Sequence, residues 1–388
     1  MRLLHVGDLH IGKLVNGFSM LEDQRHILGQ VLDVADRHQV DAVLIAGDLY
    51  DRSQPSAETV SLVSDFLGQM ADRHLACFCV AGNHDSPERV AYASSLMRRE
   101  GVYVSPVFDG SLAHFDLSDE WGRVTFWLMP YLRPVDVRDH YPDAPIGQDY
   151  TEAIRAVVEA CPIDAETRNV LVAHQFVTVQ GQTTQRSDSE LSIGGLDAVD
   201  ASVFDPFDYV ALGHIHRPQR VGRDTLRYAG SPLKYSASEI PYPKSVCLVD
   251  LRAKGEASVD LVPLAPLHDM RRIQGPLEEL VSAEVVQDQE ADDYLFVTLT
   301  DEVQQPDALS RLRQAYPNVM GIDFQNAGTT AVGAAGLSLD EMRKMDPLDL
   351  FARLFEEQNG RQLMDEERDL VVSALAQTLG LAREGSDG

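Results

Sequence analysis

Cysteine is scarce in this chain. Among 388 residues there are four, Cys77, Cys79, Cys161 and Cys247, with no CxxC spacing, and the first two share the strand-like run ACFCV. They read as reduced core residues, which excludes a disulfide framework. Long apolar runs are missing as well: the longest are strand-sized and broken by charges, too short to span a membrane. The start, MRLLHVGDLHIG, places an Asp and two His where a secretory leader needs an unbroken apolar core. The expected location is therefore the cytoplasm, with no membrane contact. Positive charge is the third shortage, with 33 Lys and Arg against 61 Asp and Glu, a net of -28. Phosphates are repelled by such a surface, so the composition argues against unaided binding of nucleic acid. The deficit is uneven: residues 271–388 carry 10 Lys and Arg against 23 Asp and Glu, about twice as acidic per residue as the rest. Acidic residues that bind divalent cations reverse the local sign of the field, and there the objection weakens.

What is present is an ordinary globular composition, 44% hydrophobic and 24% charged, in a chain long enough for two or three domains. As far as about residue 262, short apolar runs end abruptly in Gly or a polar residue: RLLHVGD, DAVLIAGD, ACFCVAGNHD, NVLVAHQ, DYVALGHIH and TLRYAGSP. Between them, EDQRHILGQVLDVADRHQ and SAETVSLVSDFLGQMADRH carry apolar residues at three- and four-residue spacing, as core-facing helices do. This is a layered α/β pattern. VPLAPLHDM at 262–270 interrupts it. Beyond lies a small α+β unit, with strands predicted near 271–274, 294–300 and 319–325 and helices at 277–283 and 307–315. The expected boundaries are a first domain over 1–265, a second over 270–326, a linker of small uncharged residues at 327–337, and a helical pair over 338–381.

Five of the six apolar runs end in metal-capable residues: Asp8 and His10 in GDLH, Asp48 and Asp51 in GDLYD, Asn83, His84 and Asp85 in GNHD, His174 in AHQ, and His214 and His216 in GHIH. GDLH and GDLYD are common turns, and a lone His pair also occurs in exposed strands. Their shared position decides the matter, because ligands of an open α/β sheet gather beyond the carboxyl ends of its strands. A carboxylate can bridge two cations while imidazole nitrogens and an amide oxygen complete each shell. Such a mixed set suits Mn²⁺, Fe²⁺ or Zn²⁺ better than Mg²⁺ or Ca²⁺. A water between two cations roughly 3.5 to 4 Å apart becomes hydroxide near neutral pH and attacks phosphorus in line. Gly7, Gly47, Gly82 and Gly213 precede these groups, and are expected to let the backbone turn and a phosphate approach. His5, His26, His38, His74, His114, His140 and His268 fit no pattern and read as surface or core residues.

In this order DLH, GDLYD, GNHD, H and GHIH resemble the calcineurin-like metallophosphoesterases, and GNHD followed by ALGHIHRPQ and RYAGSPLKYS resembles their break-repair nuclease branch. The resemblance covers essentially the whole chain. It implies a layered α/β fold, a β-sandwich flanked by helices, with a small α+β capping domain and a C-terminal helical pair. Carried over residue by residue, it implies one metal held by Asp8, His10, Asp48 and His216 and another by Asp48, Asn83, His174 and His214, with Asp48 as the bridge and Mn²⁺ the favoured ion. His84 matches the family's catalytic histidine, which contacts the scissile phosphate and helps the 3′ oxygen leave. Asp85 is expected to orient that ring through its other nitrogen, and Asp51 to stand behind the ligands.

The resemblance further implies a double-strand exonuclease and hairpin or single-strand endonuclease that acts on double-stranded DNA ends with an SbcC-type ATPase, as a homodimer within a heterotetramer. The rival reading is another phosphoesterase of the superfamily, a phosphatase, nucleotidase or cyclic nucleotide phosphodiesterase. GDLYDR does resemble the phosphatase motif, yet that group's next glycine is Ser53 here and its Glu after GNH is Asp85. A non-catalytic scaffold for the ATPase is disfavoured by the complete ligand set.

Two surfaces are assigned to partners. By resemblance, SAETVSLVSDFLGQMADRH and PERVAYASSLMRREG flank the site loops and join two copies; the plainer alternative is that their apolar faces only cover the sheet. In the tail, SLDE at 338–341 has capping-box spacing, and Asp346 before Pro347 starts a helix that runs to Gly360 with Leu348, Phe351, Leu354 and Phe355 on one face. DEERDLVVSALAQTLG presents Val371, Ala374, Leu375 and Leu379 likewise. So short a pair beyond a linker cannot bury both faces by itself, and the resemblance supplies the coiled coil of the ATPase as the partner.

Overall fold

The structure, a computed structural model, describes residues 1–179, 197–287, 290–303, 305, 307–325, 347–359, 361–364, 367–368 and 370–372. By its internal contacts the chain divides into two units, Met1–Arg271 and Arg272–Gly388.

The first unit is built on two six-stranded sheets. One runs in the order Ala257–Pro263, Ser245–Leu251, Arg2–Val6, Ala42–Ala46, Ala76–Val80, Val102–Val104. Its last four strands are parallel, and they come from the near-continuous apolar runs that a strand covered on both faces requires. The other runs Gln219–Val221, Arg223–Tyr228, Tyr209–Gly213, Arg168–His174, Gly122–Met129, Ala113–Asp119, with four parallel strands inside and an antiparallel strand at each edge. Every strand expected from the apolar runs is there. The hairpin Ala113–Asp119/Gly122–Met129 was not foreseen: its outer strand alternates half-buried and exposed residues, and its inner one ends on Met129 and Pro130, which carry no site chemistry.

Leu3, Leu44, Phe78, Val80, Phe126, Val172, Ala211 and Val249 fill the space between the sheets, where the rings of Phe78 and Phe126 stack with centroids 4.0 Å apart. The outer face of the second sheet packs on helix Tyr150–Glu159 through Ile154 and Val157. Helices Leu21–His38 and Ala57–Asp72 pack on one another, and the latter lies against the Ala76–Val80 strand. Its first turn is capped by Ser56, whose Oγ accepts from the Thr59 amide at 3.2 Å. PERVAYASSLMRREG does not form one helix. Short turns at Pro87–Val90 and Ser94–Met97 are separated by Ala93, whose φ of 58° no α-helix accommodates.

The second unit has a three-stranded sheet, Met270–Gly275, Tyr294–Leu299 and Val319–Phe324, over helix Ala308–Ala315. Its core holds Ile273, Leu277, Leu295, Val297, Leu312, Tyr316 and Val319. The helix predicted over 277–283 is interrupted, leaving Leu277–Leu280 and Ala283–Gln287. Helix Pro347–Asn359 follows the predicted start and stop. The linker at 327–337, SLDE at 338–341, and Ala374, Leu375 and Leu379 lie outside the described residues. No described helix is long and apolar enough to cross a membrane.

One polar residue ties the two sheets of the first unit together. His5, on the Arg2–Val6 strand, is fully buried, with Nδ1 2.9 Å from the Tyr209 hydroxyl and Nε2 3.1 Å from the Leu212 carbonyl oxygen. Burial first, and then the charge of Arg227, push its pKa down to about 3 from 6.5, against a smaller upward pull from the Leu212 carbonyl. A base held neutral in the fold stabilises it above its unfolded pKa and loses that contribution as pH falls toward the folded value. The slope for one such group is about 1.4 kcal/mol per pH unit. His5→Gln can keep one of the cross-sheet hydrogen bonds but cannot titrate. Chemical denaturation in chelator, stepped downward from pH 6.5, is expected to give His5→Gln a shallower loss of stability by about that slope. Equal slopes for variant and wild type would move the acid sensitivity elsewhere.

Candidate metal centre

The register of the strands brings their ends level. Val6 lies beside Ile45, Ala46 beside Val80, and His174 beside Gly213, so the loops after them leave the sandwich at one edge. Backbone bonds knit those loops: the Asp8 amide donates to the Gly47 carbonyl at 3.1 Å and the His10 amide to the Asp48 carbonyl at 2.9 Å. Asp8, His10 and Asp48 have φ of 52°, 45° and 47° and His214 has φ 106°, conformations that cost residues with a Cβ about 1–3 kcal/mol each. Gly47, at φ 83°, makes the tight turn predicted for it, and other glycines meet a second need. A Cβ on Gly82 would stand 2.1 Å from Asp48 Oδ1, and one on Gly213 would stand 1.7 Å from the Ala46 carbonyl oxygen. They let neighbouring ligand loops close on one another, and the space predicted for a phosphate is taken by protein.

The side chains converge. Asp8, His10 and His216 offer ligand atoms that lie within 4.8 Å of one another, and so do Asp8, Asp48 and His174, and His10, Asp48 and His84. Asp48 Oδ2 is 3.5 Å from both His10 Nε2 and His174 Nε2. Asn83 Oδ1 is 2.9 Å from His174 Nε2 and 3.0 Å from His214 Nδ1. The His214 amide donates to Asp8 Oδ1 at 2.8 Å. Asp8, His10, Asp48, His174, His214 and His216 are all buried, whereas Asn83 is exposed and His84 half-buried, which puts the mouth of the site on their side.

The donor set fits cations. His174 Nδ1 donates to the Ala46 carbonyl at 2.8 Å, so its Nε2 carries the lone pair and faces the amide oxygen of Asn83. Two acceptors at that distance repel unless a cation stands between them. Protonation is no escape, because burial pushes His174 down to about 3 and also lowers His10 and His216. His216 Nδ1 donates to the Glu239 carboxylate at 3.2 Å, which makes Nε2 the nitrogen that carries the lone pair, 3.1 Å from His10 Nε2. Burial raises the Asp48 carboxyl, a penalty that two nearby cations would offset.

The role predicted for Asp85 needs correction. Its carboxylate accepts from the amides of Leu49, Tyr50 and Gly82 at 2.9 to 3.0 Å and so clamps the GDLYD loop to the GNHD loop, leaving the His84 ring to others. Burial, and then the nearby Asp48 charge, push it up to about 7. The His84 ring is oriented by a backbone group, with Nδ1 3.1 Å from the Asp51 carbonyl oxygen. Asp51 stands behind the ligands as expected, 3.7 Å from His10 Nδ1 and paired with Lys13 at 2.8 Å.

Three participants were not foreseen. Gln24 donates to the His10 carbonyl at 2.8 Å and accepts from the Gly12 amide at 2.9 Å, fixing the GDLH turn from helix Leu21–His38. Glu239 and Lys244 form a buried ion pair at 2.6 Å behind His216. Although burial pushes the Glu239 carboxyl up, the Lys244 ammonium and the His216 ring hold it well below the usual range. None of the three ends an apolar run, the only signal that marked the others.

The chain is similar to known proteins along its length. Residues 1–218 match the family model of the calcineurin-like phosphoesterases, and residues 266–359 match SbcD_C, the type 5 capsule protein repressor C-terminal domain. The chain is 29% identical to the SbcD component of the SbcCD nuclease of Staphylococcus epidermidis over 99% of its own length and 100% of that protein's. Among solved structures it resembles a dimetal phosphatase from Danio rerio, at 12% identity and a TM-score of 0.42 over 68% of this chain and 96% of that one. It also resembles a Thermus thermophilus protein, at 14% identity and a TM-score of 0.39 over 67% and 98%. With the first family model spanning more than half of its residues, the chain belongs to the calcineurin-like phosphoesterases.

Proposed function

We propose that this chain is the nuclease subunit of an SbcCD-type complex: a Mn²⁺-dependent phosphodiesterase that cuts double-stranded DNA ends as an exonuclease and opens hairpins or single strands as an endonuclease. The observation that carries the reading is the convergence of Asp8, His10, Asp48, Asn83, His174, His214 and His216 on one edge of the sandwich, in a chain similar along its whole length to the SbcD component of an SbcCD nuclease. In this reading Asp8, His10, Asp48 and His216 hold one cation and Asp48, Asn83, His174 and His214 the other. Bound there, two divalent cations supply Lewis-acid charge to the phosphate and lower the pKa of water. The protein's own contribution at the bond is His84. With Nδ1 donating to the Asp51 carbonyl, its Nε2 is the nitrogen left to face a phosphate oxygen, and in the imidazolium form, with a proton taken up from solvent, it can pass that Nε2 proton to the departing 3′ oxygen.

The proposed division of the chain is catalysis in 1–265, a cap in 270–326, a linker at 327–337 and partner docking in 338–381, with the complex acting in the cytoplasm. Docking is supported by what helix Pro347–Asn359 leaves uncovered. Phe351 is 42% exposed with its ring 6.5 Å from that of Phe355, and Met364, Leu370 and Val372 are exposed beyond it. A coiled coil of an SbcC-type ATPase is the proposed occupant, and the basic groove for DNA comes from that partner because this chain carries a net of -28. A homodimer is proposed through the helix Ala57–Asp72 and the turns after it, where Val60, Tyr92 and Leu96 are exposed around an apolar groove lined by Val63, Leu67 and Met97.

His84→Ala is expected to bind Mn²⁺ as wild type does by calorimetry while losing about 10²-fold or more in phosphodiester cleavage, and Asp48→Ala to lose both ions. Normal Mn²⁺ binding by Asp48→Ala with none by His84→Ala would reverse the assignment. Phe351→Glu with Phe355→Glu should abolish capture of the ATPase while cleavage of small substrates stays at wild-type rates; full complex formation by that double variant would place docking elsewhere. Light scattering at micromolar concentration should give about twice the 42.9 kDa chain mass, and a monomer would leave the groove as mere cover for the sheet.

A further inference from the structure

Behind the metal centre lies a buried ion pair, Glu239 and Lys244, that none of the strand-end motifs contains. Glu239 sits in the short turn Ala237–Glu239, fully buried, and both of its carboxylate oxygens are used. Oε1 accepts from His216 Nδ1 at 3.2 Å and from Ser236 Oγ at 3.4 Å; Oε2 accepts from Lys244 Nζ at 2.6 Å and from Ser231 Oγ at 3.3 Å. Lys244 Nζ also donates to the His216 carbonyl at 3.0 Å and to Ser231 Oγ at 2.7 Å, while the Ser231 amide donates to the same carbonyl at 3.1 Å. His216 is thus gripped at ring and backbone by one buried ion pair.

Resting on the metal-centre reading, we infer that Glu239 and Lys244 are positioning residues for the Asp8/His10/His216 half of that centre alone. Removing two charges from water is costly, and buried ion pairs can often be replaced by apolar side chains without loss of stability, so the fold does not by itself require this pair. A carboxylate that accepts Nδ1–H fixes the ring so that Nε2 carries the lone pair, and makes that nitrogen a stronger ligand. Lys244 keeps the carboxylate charged at a buried site, and its bond to the His216 carbonyl sets where the ring begins. In the other half the arrangement differs: the Nδ1 of His174 is held by a backbone carbonyl, Ala46 at 2.8 Å, in the place where His216 has the carboxylate of an ion pair. The two halves should therefore respond differently when the pair is removed.

The test is Mn²⁺ binding to the full chain, by calorimetry and by electron paramagnetic resonance, for wild type, Glu239→Gln and the double variant Glu239→Leu with Lys244→Met. Wild type is expected to bind two ions per chain with a spin-coupled spectrum. Glu239→Gln is expected to keep one ion at wild-type affinity, to bind the other about 10- to 100-fold more weakly, and to lose the coupled signal at stoichiometric Mn²⁺. The double variant, which removes both charges together, should melt near wild type in chelator and still show the weakened second ion, separating positioning from folding. Equal weakening of both ions in the folded double variant would mean a general structural role and overturn the inference. So would unchanged affinity for both ions in either variant. A wild-type chain that binds no Mn²⁺ would overturn the metal-centre reading itself, an outcome distinct from either of these.

Discussion

The carboxylate of Asp48 stands between two imidazoles, 3.5 Å from His10 Nε2 and 3.5 Å from His174 Nε2, where almost no water reaches. An anion in that position is costly unless positive charge comes to it. The surrounding histidines cannot supply it, because burial lowers the pKa of His10, His174 and His216 and leaves them neutral. Burial leaves the carboxyl raised, since the His84 ring and Lys13 pull it down only in part; a bound cation would supply the rest, and most of the local architecture fits that demand. The His84 amide donates to Asp48 Oδ1 at 2.9 Å, Gly82 lacks the Cβ that would strike it, and Asp85 ties the loops on either side together.

A site of strained residues needs a rigid frame. Four of the candidate ligands, Asp8, His10, Asp48 and His214, hold positive-φ backbone conformations. The sandwich below them supplies the rigidity through Phe78 stacked on Phe126, His5 bonded across the sheets to Tyr209, and, nearer its other end, Arg168. That guanidinium is buried and donates to the Asp119 carboxylate and to the carbonyls of Gly122, Leu251 and Arg252. Packing and cross-sheet hydrogen bonds thus compensate locally unfavourable turns, the usual division between a stable scaffold and a functional edge.

Charge points outward from this centre. A chain with 61 acidic and 33 basic residues is poorly suited to hold a DNA backbone by counterion release, so in the proposed reading it takes its grip from a partner while keeping the chemistry for itself. In the proposed reading the partner docks on the exposed phenylalanine of helix Pro347–Asn359, whose neighbour Phe355 is covered on one side by the Arg361 guanidinium at 4.9 Å. That reading separates catalysis and recognition along the sequence.

The sequence by itself determined the strands, because runs such as AVLIA and ACFCV are apolar at every position and fit only a sheet covered on both faces. It also marked the candidate ligands, since each stands at the end of such a run, and it marked the helix from Pro347 through its N-cap pair and the glycine after it. Tertiary structure alone decided three other things. The hairpin Ala113–Asp119/Gly122–Met129 carries no motif, and only its neighbours in the sheet reveal it. Asp85 reads as a partner for the adjacent His84, but the carboxylate turns to three backbone amides, two from the GDLYD loop and one from its own GNHD loop, and sequence proximity says nothing about that direction. Glu239 and Lys244 are ordinary charged residues in a loop rich in Ser and Pro; they acquire a role only because the chain folds back to place them behind His216, 23 and 28 residues away. Local pattern reports which side chains will be buried at a strand end, whereas the partner of each buried polar group depends on long-range closure, which no window of sequence contains.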